Sequence, residues 1–152
     1  MKKYLLLFAF SALALSSCED DDVQNYEIDM LKGEWKITKT EIISGQDNTT
    51  VISTDTPTGC SAKSTTEFRT DYYTAYTAVT GVGASCTSSK TEGTYTYDSE
   101  AKVIRVKYNN DSERPYKIVI LSSSELRIMQ MFDNIDYNGD QIIDYIYTSY
   151  KR

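Results

Sequence analysis

The stretch LKGEWKITKTEII, residues 31–43, carries the pattern that decides the fold. From its glycine onward, Trp35 and Ile37 fall on one side of the chain, and Lys36 falls on the other. A period of two residues is typical of a β-strand that has one apolar face and one polar face. The stretch therefore predicts a half-buried strand near the start of the folded domain.

Similar short runs, rich in Thr, Tyr, Ile and Val, follow along the rest of the chain. They are TEFRTDYYTAY from Thr66, EGTYTYD from Glu92, KVIRVKY from Lys102, PYKIVIL from Pro115, ELRIMQMF from Glu125, DYIYTSY from Asp144, and a weaker run near Val51. Turn-forming segments separate them, and the one helical candidate is the short run IDML at residues 28–31. Closure into a barrel removes the exposed edges of so many strands. We expect an all-β domain at residues 28–152, a single small antiparallel up-and-down barrel of about eight strands.

The N-terminus has the pattern of a secretory signal peptide. MKK is a basic start, and the apolar run YLLLFAFSALAL is too short for a spanning helix, which needs about 20 residues. We therefore assign residues 1–17 to a signal peptide that is not part of the folded domain.

The next residues, LSSC at 15–18, resemble the lipobox of bacterial lipoproteins. In that family the signal peptide is cut before the cysteine, which then carries acyl chains such as palmitate. The resemblance implies that Cys18 is the lipid attachment site and that the chain contacts a membrane through this anchor. The alternative is an ordinary secretory signal followed by an unrelated cysteine.

The acidic run EDDD, residues 19–22, begins a segment that we interpret as a tether over residues 18–27. It resembles the export signal that sends lipoproteins of Bacteroidetes-type bacteria to the outside of the outer membrane. That resemblance implies an outer-membrane lipoprotein facing the cell exterior. The alternative is a plain solvated tether on the periplasmic face.

The charge balance is acidic. Residues 18–152 keep 14 of the 16 basic residues and all 22 acidic residues, for a net charge of −8. No basic patch stands out, so nucleic acid is not expected as a partner.

Three cysteines occur in the chain, and one of them is assigned to the lipid. The other two, Cys60 and Cys86, lie in a domain that leaves the reducing cytoplasm. An even remainder in an oxidising compartment favours a disulfide between them.

The segment LKGEW reads as L-x-G-x-W, which is similar to the start of lipocalin barrels. EGTYTYDSEAKVIRVKY and YKIVILSSSELRIM resemble two hairpins of the lipocalin-like domains in Bacteroidetes lipoproteins. The resemblance implies that Gly33 and Trp35 form the barrel-base motif, with a short helical turn closing the base. It also implies a basic residue over the tryptophan, for which Lys151 and Arg152 are the candidates.

The same resemblance implies a binding module for a small hydrophobic ligand. The alternative is a non-catalytic structural or interaction module with a filled barrel. The chain has no histidine, no nucleophile elbow and no phosphate loop, so we do not expect an enzyme.

The thirteen tyrosines allow two interpretations. Clusters at Tyr72, Tyr73 and Tyr76, and again at residues 145–150, would suit an aromatic surface that faces a ligand. Tyrosine also simply favours strands, because it has an apolar body and a polar tip.

The stretch IDYNGDQIID, residues 135–144, is ambiguous as well. Asp136, Asn138, Asp140 and Asp144 occupy positions 1, 3, 5 and 9 of a pattern that resembles calcium loops, so calcium is a candidate cofactor. The alternative is a plain hairpin turn built on Asn-Gly, which is a strong two-residue turn signal.

Overall fold

The computed structural model describes residues 20–152, with side chains described from Gln24 onward. The helix and strands are α1 (Asp20–Leu31), β1 (Gly33–Ile43), β2 (Val51–Asp55), β3 (Thr65–Phe68), β4 (Tyr73–Val82), β5 (Ser85–Asp98), β6 (Val103–Tyr108), β7 (Arg114–Leu121), β8 (Glu125–Gln130) and β9 (Tyr145–Lys151). The all-β class predicted from the alternating runs is confirmed. One predicted strand is corrected, because the run from Thr66 turns at residues 69–72 and supplies both β3 and β4.

The strands form one antiparallel sheet that closes on itself. The order is β2-β1-β3-β4-β5-β6-β7-β8-β9, and β1 also pairs with β9. That last pairing runs from Lys36 opposite Lys151 to Ile43 opposite Tyr145. Eight strands therefore make the predicted up-and-down barrel, and closure gives each of them two neighbours.

The ninth strand, β2, lies outside the closed barrel. It pairs with the C-terminal half of β1, on the edge that β3 uses nearer the N-terminus of β1. Between β2 and β3, residues 56–64 leave the sheet and form a short 3-10 turn that contacts both β1 and β4. This excursion fills the space where β2 and β4 diverge.

A bulge at Thr38 sets which side chains of β1 point inward. The register between β1 and β9 shifts by one residue there, and the Thr38 hydroxyl donates a hydrogen bond to the Ser149 carbonyl at 3.1 Å. Because one residue is inserted, Ile37 before the bulge and Thr40 after it both face the interior.

One end of the barrel, which we call the base, is packed solid. Trp35 and Leu126 are fully buried there, and the Phe68 and Tyr95 rings meet edge to face with centroids 5.3 Å apart. Such density is normal for a protein core and leaves no room for a ligand.

Helix α1 closes this base. Ile28 and Leu31 join the buried cluster around Trp35, whose indole N–H donates to the Leu31 carbonyl at 2.7 Å. Among the described residues, no helix has both the length and the apolar character needed to cross a bilayer.

The prediction of an unstructured tether through residue 27 is wrong in its extent. Helix α1 begins at Asp20, and Gln24 donates to the Tyr97 carbonyl at 3.3 Å. Glu27 accepts a hydrogen bond from the Tyr97 hydroxyl at 2.7 Å and pairs with Lys102 at 2.5 Å. The acidic composition suggested a solvated segment, but these contacts with distant residues make 24–27 part of the folded domain.

The predicted signal peptide at residues 1–17 and the predicted lipid attachment site Cys18 lie outside the described residues.

Candidate ligand-binding site

Beyond the base, several inward-facing side chains of the barrel are only partly buried. We call this half the cup, and we define it by inward-facing side chains that are only half-buried. They are Thr40, Ile42, Tyr76, Ala78, Tyr108, Tyr116, Gln130, Ile146 and Thr148. Inward positions at the base are buried by contrast, as at Trp35 and Ile104. The partial exposure of these inward-facing side chains indicates that solvent reaches this end of the barrel interior.

Small residues help to keep this space open. Thr40 and Thr148 lie opposite each other on β1 and β9, and both face inward. Gly93 on β5 has no side chain, and a Cβ there would lie 2.2 Å from the Lys107 carbonyl oxygen. The close approach of β5 and β6 therefore requires glycine at this position.

Four tyrosines from four strands surround the floor of the cup: Tyr76, Tyr108, Tyr116 and Tyr150. Burial raises the pKa of Tyr108 to about 12, and the nearby Tyr116 and Tyr76 oxygens raise it further. Burial, with the same neighbours, also raises the pKa of Tyr150. This mutual influence places the phenol oxygens around one space, and the raised pKa values keep Tyr108 and Tyr150 in their neutral form.

Arg114 is a cation at the rim of the cup. Arg114 on β7 pairs with Asp111 at 2.8 Å, and its guanidinium lies 5.4 Å from the Phe132 ring centroid. Phe132 meets the inward-facing Tyr116 edge to face at 5.2 Å. The segment that follows β8 thus packs through Phe132 against the wall of the cup.

A pocket of about 220 Å³ opens beside this contact. It lies in the fork where β8 and β9 separate, and its lining includes the inward-facing Gln130 and Ile146 as well as Phe132 and Ile143. Drug-sized ligands occupy pockets of roughly 300–1,000 Å³, so this fork alone suits only a small group.

The loop 131–144 holds the predicted calcium ligands. Asp136 accepts backbone hydrogen bonds of 2.7 and 2.8 Å from within the loop, and these bonds lower its pKa. Asn138 and Asp140 accept one each, of 2.9 and 2.8 Å. The described residues contain no group of three His, Cys, Asp or Glu side chains arranged for a metal. Calcium binding stays a prediction, which a calcium titration of wild type and Asp136→Ala would test.

Asp144 has a different role from the other three residues. It is buried, and its carboxylate accepts hydrogen bonds from the Gly45 N–H at 3.0 Å and the Tyr137 N–H at 2.7 Å. It therefore fastens the loop to the turn after β1. The plain hairpin alternative is wrong, because β8 ends at Gln130 and the intervening residues up to 144 form no strand.

At the other end of the barrel, the predicted base motif meets the C-terminus. The Arg152 guanidinium carbon lies 4.3 Å from the Trp35 ring centroid, and the same side chain donates to the Lys32 and Met30 carbonyls. A Cβ on Gly33 would come within 2.9 Å of this guanidinium. Of the two predicted basic candidates, Arg152 is the residue over the tryptophan.

The predicted disulfide is confirmed. Cys60 and Cys86 are bonded, with their Cα atoms 5.5 Å apart. The bond joins the excursion at residues 56–64 to the β4–β5 hairpin, so it stabilises the wall where β2 and β4 diverge.

The tyrosines of the two sequence clusters are divided between the inner and outer faces of the barrel wall. Tyr76 and Tyr150 face inward, while Tyr73 and Tyr147 face outward. The sequence clusters did not include Tyr108 and Tyr116, although both have the same parity as the buried Ile104 or Ile118 on their own strands. That parity is the signal that could have identified them.

The class of protein follows from this geometry: a closed eight-stranded barrel with a plugged base, an arginine over the base tryptophan, and an open cup. The model of the lipocalin-like domain family matches residues 31–128, and the chain belongs to that family. The match covers β1 to the middle of β8 and includes most of the cup.

Solved structures with a similar chain path are lipocalins. A bovine lipocalin allergen is 12% identical, with a TM-score of 0.43 and coverage of 82% of this chain and 74% of its own. A deswapped triple mutant of bovine odorant binding protein is 11% identical, with a TM-score of 0.40 and coverage of 81% and 74%. A dog lipocalin allergen is 11% identical, with a TM-score of 0.40 and coverage of 80% and 73%. No curated protein matches this chain in sequence.

Proposed function

We propose that this protein is a lipid-anchored lipoprotein of the cell envelope whose barrel binds a small hydrophobic ligand in the cup. One observation carries the binding proposal. Inward-facing side chains such as Ile42 and Ile146 stay partly accessible to solvent, while the base below them is completely packed. A ligand in the cup would cover this accessible apolar surface.

The gain from covering such surface is substantial. Apolar area removed from water contributes about 25 cal/mol per Å². A ligand that buries about 200 Å² would therefore gain roughly 5 kcal/mol before the cost of association is subtracted. The tyrosine rings around the floor add flat faces against which an aromatic or aliphatic body can pack.

Binding of the neutral fluorescent probe N-phenyl-1-naphthylamine tests this proposal. Thr148→Phe places a ring in the cup and is expected to abolish the fluorescence increase. Thr96→Phe makes the same change on the exposed outer face of β5 and should leave the titration unchanged. Equal titration curves for wild type and both variants would place the probe outside the cup and contradict the proposal.

The anchoring proposal is separate and rests on Cys18 and the lipobox-like residues before it. Several acyl chains on one residue anchor a protein stably, because each buried methylene contributes about 0.8 kcal/mol. Growth with a clickable palmitate analogue should label the wild type and leave Cys18→Ser unlabelled. Digestion of intact cells with an added protease would then separate exposure at the cell exterior from a position on the periplasmic face.

A structural or interaction module is the second candidate function, and the solid packing of the base favours it. In that case the barrel would serve as a rigid scaffold for a protein partner. If N-phenyl-1-naphthylamine does not bind to the wild type, this second candidate is favoured.

A further inference from the structure

The wall of the cup is rich in hydroxyl groups. Besides the four tyrosines around the floor, Thr40 and Thr148 face the cup, and Thr66 and Thr74 lie at inward positions of β3 and β4. The amide of Gln130 adds another polar group. A ligand made only of hydrocarbon would leave those hydroxyls that have no partner in the protein unpaired, and each unpaired buried group is costly.

The tyrosines at the base and those at the cup differ in their acceptors. Tyr95 donates its hydroxyl proton to the Arg69 carbonyl at 2.7 Å, and Tyr97 donates to Glu27 at 2.7 Å. Across residues 24–152, neither Tyr76 nor Tyr116 donates to a carbonyl or a carboxylate.

Tyr116 also has a neighbour that can only donate. Arg114 lies two residues before Tyr116 on the inward face of β7, and a guanidinium has no acceptor. Arg114 therefore cannot take the Tyr116 hydroxyl proton, which remains available to a ligand. Tyr76 presents a second hydroxyl on β4, across the floor of the cup.

The charges around the cup disfavour an ionic ligand. On the inward positions of the eight described barrel strands, Arg114 is the one charged residue, and Asp111 pairs with it at 2.8 Å. Asp133 also lies close enough to affect Tyr116. A carboxylate ligand would lose its water without gaining a free cation, and a cation would find no inward-facing acid.

We propose that the ligand is an uncharged molecule with an apolar or aromatic body and a carbonyl-type oxygen that accepts hydrogen bonds from Tyr76 and Tyr116. This inference rests on the proposed function, because it names the ligand class of the same cup. The apolar body covers Ile42 and Ile146, and the oxygen lies near the floor.

Three naphthalenes that share one skeleton test the ligand class: 2-acetylnaphthalene, 2-ethylnaphthalene and 2-naphthoate. Each competes with N-phenyl-1-naphthylamine for the full domain. The ketone is expected to bind about fivefold tighter than the ethyl compound, which is the effect of roughly one neutral hydrogen bond. The carboxylate is expected to bind most weakly of the three.

Removing the hydroxyl of one tyrosine at a time tests whether that tyrosine causes the preference for the ketone. Tyr76→Phe and Tyr116→Phe should each reduce the preference for the ketone over the ethyl compound. Tyr26→Phe, on an exposed face of α1, is the matched control and should keep the full preference.

The two proposals fail in different ways. If none of the three compounds displaces the probe from the wild type, the cup is not a binding site and the proposed function fails. If the ethyl compound or 2-naphthoate binds as tightly as the ketone, the cup binds ligands but the inferred ligand class is wrong. A preference for the ketone that survives both substitutions would also overturn the assignment to these tyrosines.

Discussion

Replacement of Arg152 by alanine tests how the barrel base is held together. The guanidinium lies over the Trp35 ring and donates to the Met30 carbonyl at 2.9 Å and to the Lys32 carbonyl, at the C-terminal end of α1. An exposed cation over an aromatic ring contributes about 0.5–1 kcal/mol. A cation at a helix C-terminus contributes about 0.3–1 kcal/mol more. Because the side chain is exposed, we expect Arg152→Ala to lower the free energy of unfolding by about 1–2 kcal/mol.

For a domain of this size, that loss corresponds to a decrease in Tm of roughly 3–8 °C in thermal unfolding followed by circular dichroism. Arg152→Lys keeps the charge but loses the planar guanidinium with its several donors. Its Tm should therefore lie between those of Arg152→Ala and the wild type. Lys151→Ala is the matched control, since its exposed side chain forms no ion pair within the described residues. Equal Tm values for Arg152→Ala and Lys151→Ala would refute the role assigned to the arginine.

Three further predictions concern stability. Replacing Cys60 and Cys86 together by serine should cost about 3 kcal/mol in urea unfolding, because the bond closes a loop with a sequence separation of 26; an unchanged midpoint would contradict this. Gly93→Ala should destabilise by about 1–3 kcal/mol in the same assay, since the new Cβ meets the neighbouring strand's backbone; a neutral result would show that the strands can separate there. The unfolding free energy should hold steady from neutral pH to about 10 and fall as pH rises toward 12, because unfolded tyrosine ionises near 10.0 and Tyr108 at about 12 in the fold. In a pH titration followed by tyrosinate absorbance, some tyrosines should ionise well above pH 10. A single transition near pH 10 for all tyrosines would contradict this prediction.

The sequence predicted strands correctly where one face of the strand is exposed to water and the other is buried. In β1 and β6 the apolar residues recur every second position, as at Trp35 and Ile104, and these residues are buried. In contrast, the distal parts of β4 and β5, residues 77–90, carry Thr, Ser and Gly on both faces and have no such alternation. Their pairing is set by the hairpin turn that joins them, which the periodicity of a single strand does not reveal.

The candidate site was less predictable than the fold. The base residues Gly33 and Trp35 belong to one local motif, so they could be assigned by resemblance. The cup is instead assembled from side chains on six strands, and whether a residue such as Tyr116 faces inward depends on bulges and register. The bulge at Thr38 shows the difficulty, because one inserted residue reverses which positions of β1 line the interior.

Native mass spectrometry of residues 20–152, purified without detergent, shows directly whether the cup binds a ligand. We expect a 1:1 complex with an added neutral aromatic ketone such as 2-acetylnaphthalene, released on denaturation and lost in Thr148→Phe. A domain that stays unliganded with both saturating ketone and saturating N-phenyl-1-naphthylamine, or a ketone complex that persists in Thr148→Phe, would contradict a ligand-binding cup.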